Sequence, residues 1–510
     1  MPRMTMNVPL NRVEGDLEVK VEMEDGVVKD AWSSGTMYRG FENMLVGRGA
    51  LDGLVMTPRI CGICTTTHLT AAARALDMAA GVKVPDAAVR VRNIALMAEH
   101  VQSDVRHGFL MFAVDFLNPA YKENTLYDEA VKRYQPLKGE SAAETVRETK
   151  RLLEIIAILG GQWPHSSFMV PGGVVSMPSA TELVQCRHLL ANYRKWYESR
   201  VLGCTVERWL DVKSAKDLET WLDESTSHRD SDLGFFIRFA RKANLHKIGK
   251  GHGNFLSYGS LPLPEQTAVG GTDGMLVPAG FATGKDVQVF DQAMIAEHVA
   301  HSWFIDYEGG KHPSKGETRP YATGNEGRKY SWAKAPRYDG RPAETGPLAE
   351  MVISKSPLFA DLLEREGPNV FLRQLARLVR STTIMPAMAT WLNEAVKEGG
   401  ACYNPPGNIE DGEGYGLVEA ARGALGHWIK IKGGKIERYQ IITPTAWHAS
   451  PRDSDGVRGP FEESLAGTPV KDPENPVEMG HVVRSFDACL VCTVHSIDGG
   501  RDMGRLRVSI

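Results

Sequence analysis

Two cysteine pairs at opposite ends of the chain decide how it folds. The first reads Arg59-Ile60-Cys61-Gly62-Ile63-Cys64 and continues as Thr65-Thr66-Thr67-His68; the second reads Asp487-Ala488-Cys489-Leu490-Val491-Cys492 and continues as Thr493-Val494-His495. Thiolates are soft ligands, and four of them can surround one transition metal. If both pairs meet, the two termini build one buried metal site, and the rest of the chain must hold those ends together.

Composition sets the broad class of the protein. The chain has 510 residues, of which 42% are apolar and 24% are charged, as in a soluble globular protein. This length is compatible with roughly three domains of about 150 residues, but a site shared by both ends favours a single domain spanning residues 1–510. The net charge of -4 gives no electrostatic case for a nucleic-acid partner or for an anionic membrane.

The cysteines are too few for a disulfide scaffold. Sparse cysteines with two tight pairs indicate metal binding in a reducing compartment, so we expect a cytoplasmic protein. The N-terminal sequence lacks the apolar stretch of a signal peptide, and no run of about 18 apolar residues predicts a transmembrane helix. Membrane association would therefore depend on a partner. The cysteines outside the pairs, which we interpret as packing residues, are Cys186, Cys204 and Cys402.

Hydrophobic periodicity predicts a mainly α-helical protein with a small N-terminal β portion, an α+β unit built on a bundle of long helices. Residues 13–32 alternate as two strands with a turn near 24–26, and residues 427–443 form another strand pair. Segments rich in glycine and proline predict long irregular connections at 250–285, 309–347 and 399–416. Helices are predicted at 65–78 and 87–116, and near 143–160, 180–202, 288–303 and 370–397.

Three kinds of site fit four cysteines in two Cys-x-x-Cys pairs: a structural zinc site, an iron–sulfur cluster and a catalytic metal centre. Zinc ribbons usually separate their pairs by about 15–20 residues, whereas nearly the whole chain lies between Cys64 and Cys489. Each pair alone could be a redox dithiol, but that interpretation leaves the trailing histidines His68 and His495 unexplained.

The residues around the cysteines are more specific than their spacing. Arg59-x-Cys-Gly-x-Cys-x-x-x-His together with Asp487-x-Cys-x-x-Cys-x-x-His resembles the large subunit of nickel–iron hydrogenases, and its uptake-type branch in particular. Further segments resemble this family in the same order along the chain, so that the resemblance covers residues 12–495. These segments are Arg12-Val13-Glu14-Gly15, Arg39-Gly40-Phe41-Glu42, Glu419 to Trp428 (EAARGALGHW), Tyr439-Gln440, Pro444-Thr445 with Trp447, and Ser450-Pro451-Arg452-Asp453.

The resemblance implies a binuclear nickel–iron centre whose iron carries cyanide and carbon monoxide ligands. Soft thiolates stabilise nickel as its oxidation state changes. The first cysteine pair also precedes a predicted helix, whose N-terminal dipole favours the thiolate form. The implied ligands are Cys61, Cys64, Cys489 and Cys492, of which Cys64 and Cys492 bridge the two metals.

A magnesium ion and a removable tail are also implied by the resemblance. The magnesium would be bound by Glu42, His495 and the carbonyl oxygen of Ile441, although a histidine is an unusual ligand for this metal. Family precursors carry a tail like residues 496–510, which a maturation protease removes after the histidine once nickel is inserted, so that this protease and chaperones are implied partners. We therefore distinguish an N-terminal β and first cysteine region (12–68), a C-terminal arginine and second cysteine region (417–495) and the tail.

Five further residues take site roles from the resemblance. His68 would hydrogen-bond a bridging sulfur, and Arg422 would lie over the open position of the metals. Asp104 and Asp487 would orient that arginine, and Glu14 would be the first proton acceptor. Without the resemblance, His68 is an ordinary buried histidine and Arg422 a surface arginine. Asp104 would be a solvated or capping acid of its helix, and Glu14 a glutamate at a strand edge. Asp487 lies two residues before the second cysteine pair, so its position near the site depends less on the resemblance.

The implied activity is the heterolytic cleavage of dihydrogen to protons and electrons. Cys489 or Arg422 would take the first proton, and protons would leave through Glu14. Because the chain has no further cysteine cluster with iron–sulfur spacing, we expect an iron–sulfur small subunit that accepts the electrons. The result is a heterodimer, and a higher oligomer of heterodimers is compatible with the sequence.

Three other functions compete with this hypothesis. The strongest alternative is a hydrogen-sensing regulatory subunit with the same metal site. A structural relative from respiratory complex I ranks low because such subunits have generally lost the cysteines, and a zinc-stabilised binding protein is the third.

The sequence also departs from many family members in having Ala421 and Ala488 in place of proline. We expect Ala421 to loosen the backbone before Arg422, because proline fixes φ.

Overall fold

The computed structural model describes residues 4–264, 271–272, 274–324 and 326–493, and of residues 398, 492 and 493 it describes only the backbone. Helices form most of the regular structure in these ranges. The α-helices are α1 Phe41–Leu45, α2 Asp52–Met56, α3 Thr65–Ala79, α4 Asp86–Arg106, α5 Tyr127–Tyr134, α6 Glu140–Gly160, α7 Ala180–Trp196, α8 Val206–Leu210, α9 Ala215–Glu224, α10 Thr226–Asp230, α11 Asp232–Lys242, α12 Pro347–Ile353, α13 Pro357–Glu366, α14 Val370–Val379, α15 Ser381–Glu398, α16 Pro444–His448, α17 Pro460–Leu465, α18 Val477–Ser485 and α19 Leu490–Thr493.

Strands occur along the whole described chain and pair antiparallel in five small sheets, ordered β1-β2-β3, β5-β6, β7-β8-β9, β11-β10-β12 and β13-β14-β15. The strands are β1 Met4–Leu10, β2 Leu17–Glu24, β3 Val27–Gly35, β4 Tyr38–Arg39, β5 Met169–Val170, β6 Gly173–Val174, β7 Asn254–Pro262, β8 Met275–Thr283, β9 Asp286–Gln288, β10 Ile295–His298, β11 Gly310–Lys311, β12 Ala335–Tyr338, β13 Gly412–Ala420, β14 Gly423–Lys432 and β15 Lys435–Ile442.

The chain therefore has more β structure than the small N-terminal portion and the strand pair at 427–443 that the sequence predicts. The glycines and prolines of residues 250–285 predict an irregular segment, yet β7 and β8 pair there and β7 is almost entirely buried. A helix near 288–303 is also wrong, since β10 pairs on both sides within this stretch. Burial and strand pairing outweigh local propensity at both places.

The long helices confirm most of the helical predictions, and several of them pack together. α4 contacts α6 and α15, while α7 contacts the same two helices. The helix expected at 87–116 is regular only to Arg106 and continues as a π-helical turn, His107–Phe112, and a 3-10 turn, Ala113–Leu117. At this change of winding, α14 packs closely on the backbone of Gly108.

Helix α3 and strand β13 fix the two halves of the site against each other. β13 presents three glycines, Gly412, Gly414 and Gly416, to the alanine face of α3. A Cβ atom at Gly416 would lie only 1.9 Å from the carbonyl oxygen of Ala71, and one at Gly414 only 2.2 Å from that of Ala75. The helix that follows the first cysteine pair thus lies directly on the strand that leads to Arg422. Within the described ranges, every helix is too short or too polar to cross a bilayer.

Candidate metal centre

Three cysteines from the two predicted pairs meet in the protein interior. The Sγ atoms of Cys61, Cys64 and Cys489 all lie within 4.8 Å of one another, and the distance between Cys61 and Cys489 is 3.6 Å. All three side chains are buried. The backbone of Cys492 lies in α19, one turn after Cys489, while its side chain is outside the described atoms. The structure therefore brings the two ends of the chain to one buried thiol cluster.

Backbone pairing holds the N-terminal segment against the second cysteine pair. The amide of Glu14 donates to the carbonyl oxygen of Ala488 at 3.2 Å, and Glu14 and Cys489 form a parallel bridge. Gly15 has a φ of +84°, and a Cβ atom there would lie 2.9 Å from the amide nitrogen of Val491. Only glycine fits such a close approach in the left-handed region, which accounts for the glycine that ends the Arg-Val-Glu-Gly segment.

Three arginines and one aspartate tie the same ends together through side chains. Arg39 donates to the carbonyl oxygens of Ile60 and Val491, so it bridges the two cysteine segments. Asp115 accepts a hydrogen bond from Arg12 and a second one from Arg484, the latter at 2.6 Å. The buried carboxylate of Asp115 therefore links the N-terminal strand region to the helix that precedes Asp487.

The first cysteine pair lies immediately before the first turn of α3. Cys64 is the residue before the helix, and the amide of Ile63 lies 3.4 Å from Sγ of Cys61. The carboxylate of Glu99, on α4, accepts from the amides of Thr66 and Thr67 at 2.7 and 2.9 Å. Because the first amides of a helix have no partner within the helix, Glu99 caps this turn. Sequence reasoning missed Glu99, since nothing in the local pattern distinguishes it from other helix glutamates.

Arg422 and Asp487 form a buried ion pair beside the cysteines. Nη2 of Arg422 lies 3.1 Å from Oδ1 of Asp487, while Nε and Nη1 of the arginine are buried without a hydrogen-bond partner among the described residues. Burial opposes the charge of the guanidinium, but Asp487 and the sulfurs of Cys489, Cys64 and Cys61 outweigh burial and raise the pKa of Arg422. Arg422 is thus a fixed positive charge with two N–H groups available to a ligand.

The pKa of Asp487 reflects the same surroundings. Burial alone would raise this pKa, but Arg422, His107 and Arg377 outweigh burial and hold it below its usual value. The distance from Arg377 Nη1 to Oδ2 of Asp487 is 3.3 Å. Asp487 is therefore a buried carboxylate that stays ionised and can orient Arg422 directly.

Among the described residues, Asp104 pairs with Arg380 and Arg377 and not with Arg422, the arginine that the resemblance implied it would orient. Both of its oxygens accept from Arg380, each at 2.8 Å, and Arg377 lies 3.6 Å away. Burial raises the pKa of Asp104 to about 6 against the opposing effect of these arginines. Among the contacts of the described residues, the one that reaches Arg422 from a carboxylate is that of Asp487.

Arg377 and Arg380 also hold the backbone just before Arg422. Arg377 Nη1 donates to the carbonyl oxygen of Ala421 at 3.0 Å, and Arg380 Nη2 donates to the same oxygen at 3.1 Å. The expected loosening at Ala421 is thus opposed by two buried guanidinium groups. Sequence reasoning missed both arginines, although with Arg373 they recur at spacings of four and three along α14 and at the residue that caps its C-terminus.

Gly423 lets the Arg422 loop approach α12. Its φ is +122°, and a Cβ atom would lie 2.3 Å from the amide nitrogen of Gly346. No side chain fits there without moving the backbone, which explains a glycine directly after the arginine.

His68 hydrogen-bonds to a second histidine that sequence reasoning did not assign to the site. Its Nδ1 lies 3.1 Å from Nε2 of His427, and Nδ1 of His427 lies 2.9 Å from the hydroxyl of Tyr439. Burial lowers the pKa of His68 to about 4, with Cys61 acting in the opposite direction. The signal was present in the sequence, because both His427 and Tyr439 stand in segments that carry the resemblance.

Glu14 is half-buried at the edge of the cluster. Burial raises the pKa of its carboxyl group, a negative charge at Cys61 raises it further, and Arg422 opposes both. A half-buried carboxyl group with a raised pKa beside a thiol cluster is a candidate proton acceptor.

The predicted magnesium ligands are only partly within the described residues. The amide of Ile441 donates to Oε1 of Glu42 at 2.8 Å, so these two residues are neighbours. Oε2 of Glu42 accepts from Thr318 and lies 3.4 Å from Nζ of Lys334. His495 and the predicted tail 496–510 lie outside the described residues.

The donors present fit a thiophilic transition metal. Three buried thiols within 4.8 Å are soft ligands, and the unpartnered N–H groups of Arg422 provide donors for an anionic ligand beside them. In the described ranges, this is the one group of three or more potential metal ligands drawn from histidine, cysteine and acidic residues.

Comparison with known proteins agrees with this geometry. A family model described as nickel-dependent hydrogenase matches residues 39–143 and 142–495. The chain belongs to the nickel-dependent hydrogenase family. As a hydrogenase large subunit, it is an oxidoreductase that acts on dihydrogen.

Relatives of this hydrogenase align over nearly its whole length. It is 34% identical to the periplasmic NiFeSe hydrogenase large subunit of Desulfomicrobium baculatum, covering 96% of this chain and 94% of the relative. The uptake hydrogenase large subunit of Bradyrhizobium diazoefficiens is 29% identical, with 98% and 96% covered. The solved NiFeSe hydrogenase of D. vulgaris Hildenborough in the reduced state has a TM-score of 0.82 at 30% identity, covering 97% of this chain and 100% of that one. Selenium belongs to the names of those proteins, whereas the candidate ligands of this hydrogenase are cysteines.

Proposed function

We propose that this chain is the catalytic subunit of an uptake hydrogenase, in which dihydrogen is cleaved heterolytically at a thiolate-bound nickel–iron centre. The observation that carries the proposal is the 3.6 Å distance between the sulfurs of Cys61 and Cys489, which joins the two ends of the chain at one buried site. Cys64 completes the described cluster, and the resemblance assigns Cys492 as the fourth ligand. When bound, the nickel–iron centre with its cyanide and carbon monoxide ligands supplies Lewis acidity and redox chemistry.

Arg422 provides the fixed positive charge of the proposed site. It pairs with Asp487 through Nη2, and among the described residues Nε and Nη1 have no hydrogen-bond partner, so they can donate to a ligand. Charge-assisted hydrogen bonds of this kind are roughly twice as strong as neutral ones, and burial strengthens them further. In the proposal, Arg422 therefore polarises the substrate and holds an anionic ligand, while Asp487 keeps the guanidinium in place.

Cys489 and Glu14 provide the proposed route for protons. The backbone bridge between them keeps Glu14 beside the second cysteine pair. The thiolate of Cys489 accepts the first proton and passes it to Glu14. Burial raises the pKa of Glu14 toward the pKa of a thiol, which favours this transfer. Arg422 is the alternative first acceptor, but its raised pKa disfavours loss of a proton from the guanidinium.

Electrons require a partner. Since the described residues contain no second cysteine cluster, we propose an iron–sulfur small subunit. Four large apolar side chains near the first cysteine segment are exposed and available for such an interface, which we call the 44–55 patch: Met44, Val46, Leu51 and Val55. Such a concentration of exposed apolar residues is typical of a protein–protein contact.

Two further parts of the proposal rest on the resemblance. Glu42 and the carbonyl oxygen of Ile441 would bind magnesium together with His495. A cytoplasmic location, with membrane association only through a partner, also stays a prediction, and cell fractionation measures it.

Infrared spectroscopy with metal analysis tests the proposed function. The purified complex should contain about one nickel per chain and show bands from cyanide and carbon monoxide. Cys489→Ser should abolish both, while Cys402→Ser, at a half-buried cysteine outside the cluster, should retain them. A chain that contains zinc alone would refute the proposal. Steady hydrogen oxidation by the complex separates the uptake enzyme from the hydrogen sensor, whose turnover would be low.

A further inference from the structure

Tyr439 is the end of a buried hydrogen-bonded chain that begins beside the thiol cluster. Its hydroxyl lies 2.9 Å from Nδ1 of His427, and Nε2 of His427 lies 3.1 Å from Nδ1 of His68. The three side chains are at most 1% exposed. In either hydrogen bond taken alone, an imidazole nitrogen can donate or accept. Taken together, the two hydrogen bonds allow only one order of donors and acceptors along the chain.

The tyrosine sets that order. A tyrosine hydroxyl has a pKa of about 10, so it carries its proton at neutral pH. Among the described residues, the one hydrogen-bond partner of the Tyr439 hydroxyl is Nδ1 of His427. If that nitrogen carried a proton, the hydroxyl proton of Tyr439 would be buried without an acceptor, which is unfavourable. Tyr439 therefore donates, and His427 accepts at Nδ1.

The hydrogen bond from Tyr439 then determines the tautomer of both histidines. A histidine that accepts at Nδ1 carries its proton at Nε2, and Nε2 of His427 faces Nδ1 of His68. His68 accepts there in turn, so its own proton is on Nε2, on the side of the ring away from His427. The backbone amide of His68 donates to the carbonyl oxygen of Cys64 at 3.2 Å, which places the ring one helical turn after the first cysteine pair.

We propose that Tyr439 and His427 are positioning residues that fix His68 as a hydrogen-bond donor, through Nε2–H, to a thiolate of the metal centre. The proposal rests on the proposed function, because the acceptor is a metal-bound thiolate. The other tautomer would present a lone pair to a negatively charged sulfur. Fixing a tautomer through the second ring nitrogen is a general device around metal sites.

The chain fixes a tautomer and does not serve as a path for protons. Its last hydroxyl lies against the backbone of α2, where a Cβ atom at Gly53 would be 3.4 Å from the oxygen of Tyr439. Among the described residues, none beyond Tyr439 continues the chain of hydrogen bonds. A proton relay would need an exit toward solvent, which Glu14 has and Tyr439 lacks.

The cyanide and carbon monoxide bands of the holoenzyme complex test the proposal. A hydrogen bond withdraws electron density from the thiolate, so its loss in Tyr439→Phe should shift the bands to lower wavenumber while nickel content stays unchanged. Tyr193→Phe is the control, because that buried hydroxyl reaches only a backbone carbonyl at 3.5 Å. Unshifted bands in Tyr439→Phe would overturn the proposal and leave the proposed function intact, whereas wild-type complex without such bands would refute both.

A matched pair at His427 separates hydrogen bonding from packing. His427→Gln keeps an N–H donor near the position of Nε2 and should restore the wild-type bands, whereas His427→Leu should give the shift of Tyr439→Phe. The same bands in both variants would overturn the proposal. If the variants fail to assemble, neutron diffraction of the deuterated wild-type complex decides, with deuterium expected on Nε2 of both histidines. Deuterium on Nδ1 of either histidine would contradict the direction from Tyr439 to His68.

Discussion

Nη2 of Arg422 lies 3.1 Å from Oδ1 of Asp487, and both side chains are buried beside the three cysteines. Arg377 lies on the other oxygen of Asp487, at 3.3 Å, and also holds the carbonyl oxygen of Ala421. The position of Arg422 is thus set twice, through its guanidinium and through the backbone before it. A residue held this firmly can stabilise charge in a reaction without the cost of reorganising itself.

Arg422→Lys should lower hydrogen oxidation by about 10²–10³-fold, the usual cost of losing one preorganised donor. Lysine keeps the charge but cannot pair with Asp487 and also present two further N–H groups in one plane. Nickel content should be unchanged, because no described contact makes Arg422 a ligand. Arg365→Lys, at an exposed arginine paired with Asp361, should have wild-type activity, and equal activity of the two variants would remove Arg422 from the mechanism.

Glu14→Gln should slow hydrogen oxidation by about 10²–10⁴-fold, the usual contribution of a positioned acid or base. The amide keeps the shape of the carboxyl group but cannot accept the proton. The metal bands in the infrared spectrum should remain, which distinguishes a blocked proton route from a lost metal centre. Asp16→Asn, at the exposed acid two residues away, is the control, and normal turnover by Glu14→Gln would exclude this route.

Asp115→Asn should destabilise the protein by about 3–5 kcal/mol at neutral pH, because it leaves buried arginines without their partner. Burial alone would raise the pKa of Asp115, but Arg484, His481 and Arg12 outweigh burial and lower it. A lowered pKa gives stability that is present above the unfolded value of about 4 and is lost as the pH falls through the folded value. The difference between wild type and variant, measured by urea unfolding, should therefore shrink below about pH 4.

The control for this stability experiment is Asp223→Asn. Its carboxylate pairs with Arg229 at the surface, where an ion pair contributes about 0–1 kcal/mol. A difference for Asp115→Asn that stays constant from neutral to acidic pH would show that the carboxylate charge does not link the two ends of the chain.

The double variant Leu51→Asp with Val55→Asp should prevent binding of the iron–sulfur small subunit. Two charges in the centre of an apolar contact must be desolvated without partners. Co-purification with the small subunit measures the effect, and Val184→Asp, at an exposed valine of α7, is the control. Undiminished co-purification of the double variant would place the partner on another surface.

The cysteine pairs, taken with the resemblance of the residues around them, were enough to predict which ends of the chain meet. Spacing alone left several kinds of site open, whereas the flanking residues indicated one metal site shared by Cys61, Cys64, Cys489 and Cys492. Helix α3 and the strand pair at 427–443 were also predicted from periodicity, although the structure buries most residues of α3 and β14 and not one face alone.

What the sequence did not predict depends on contacts between distant segments. Glu99 and Asp104 are separated by five positions on one helix, yet one caps α3 and the other pairs with Arg380. Local sequence does not encode which distant group each acid meets. The strands β7 and β8 were missed for a similar reason, because pairing and burial form there despite glycines and prolines.

Anomalous diffraction at the nickel absorption edge, from crystals of the complex, tests most directly whether the two ends of the chain bind one bimetallic centre. We expect one nickel peak at bonding distance from the Sγ atoms of Cys61, Cys64 and Cys489, with a neighbouring iron peak at the iron edge. Cysteine pairs that bind separate metals, or a single site occupied by zinc, would contradict a shared nickel–iron centre.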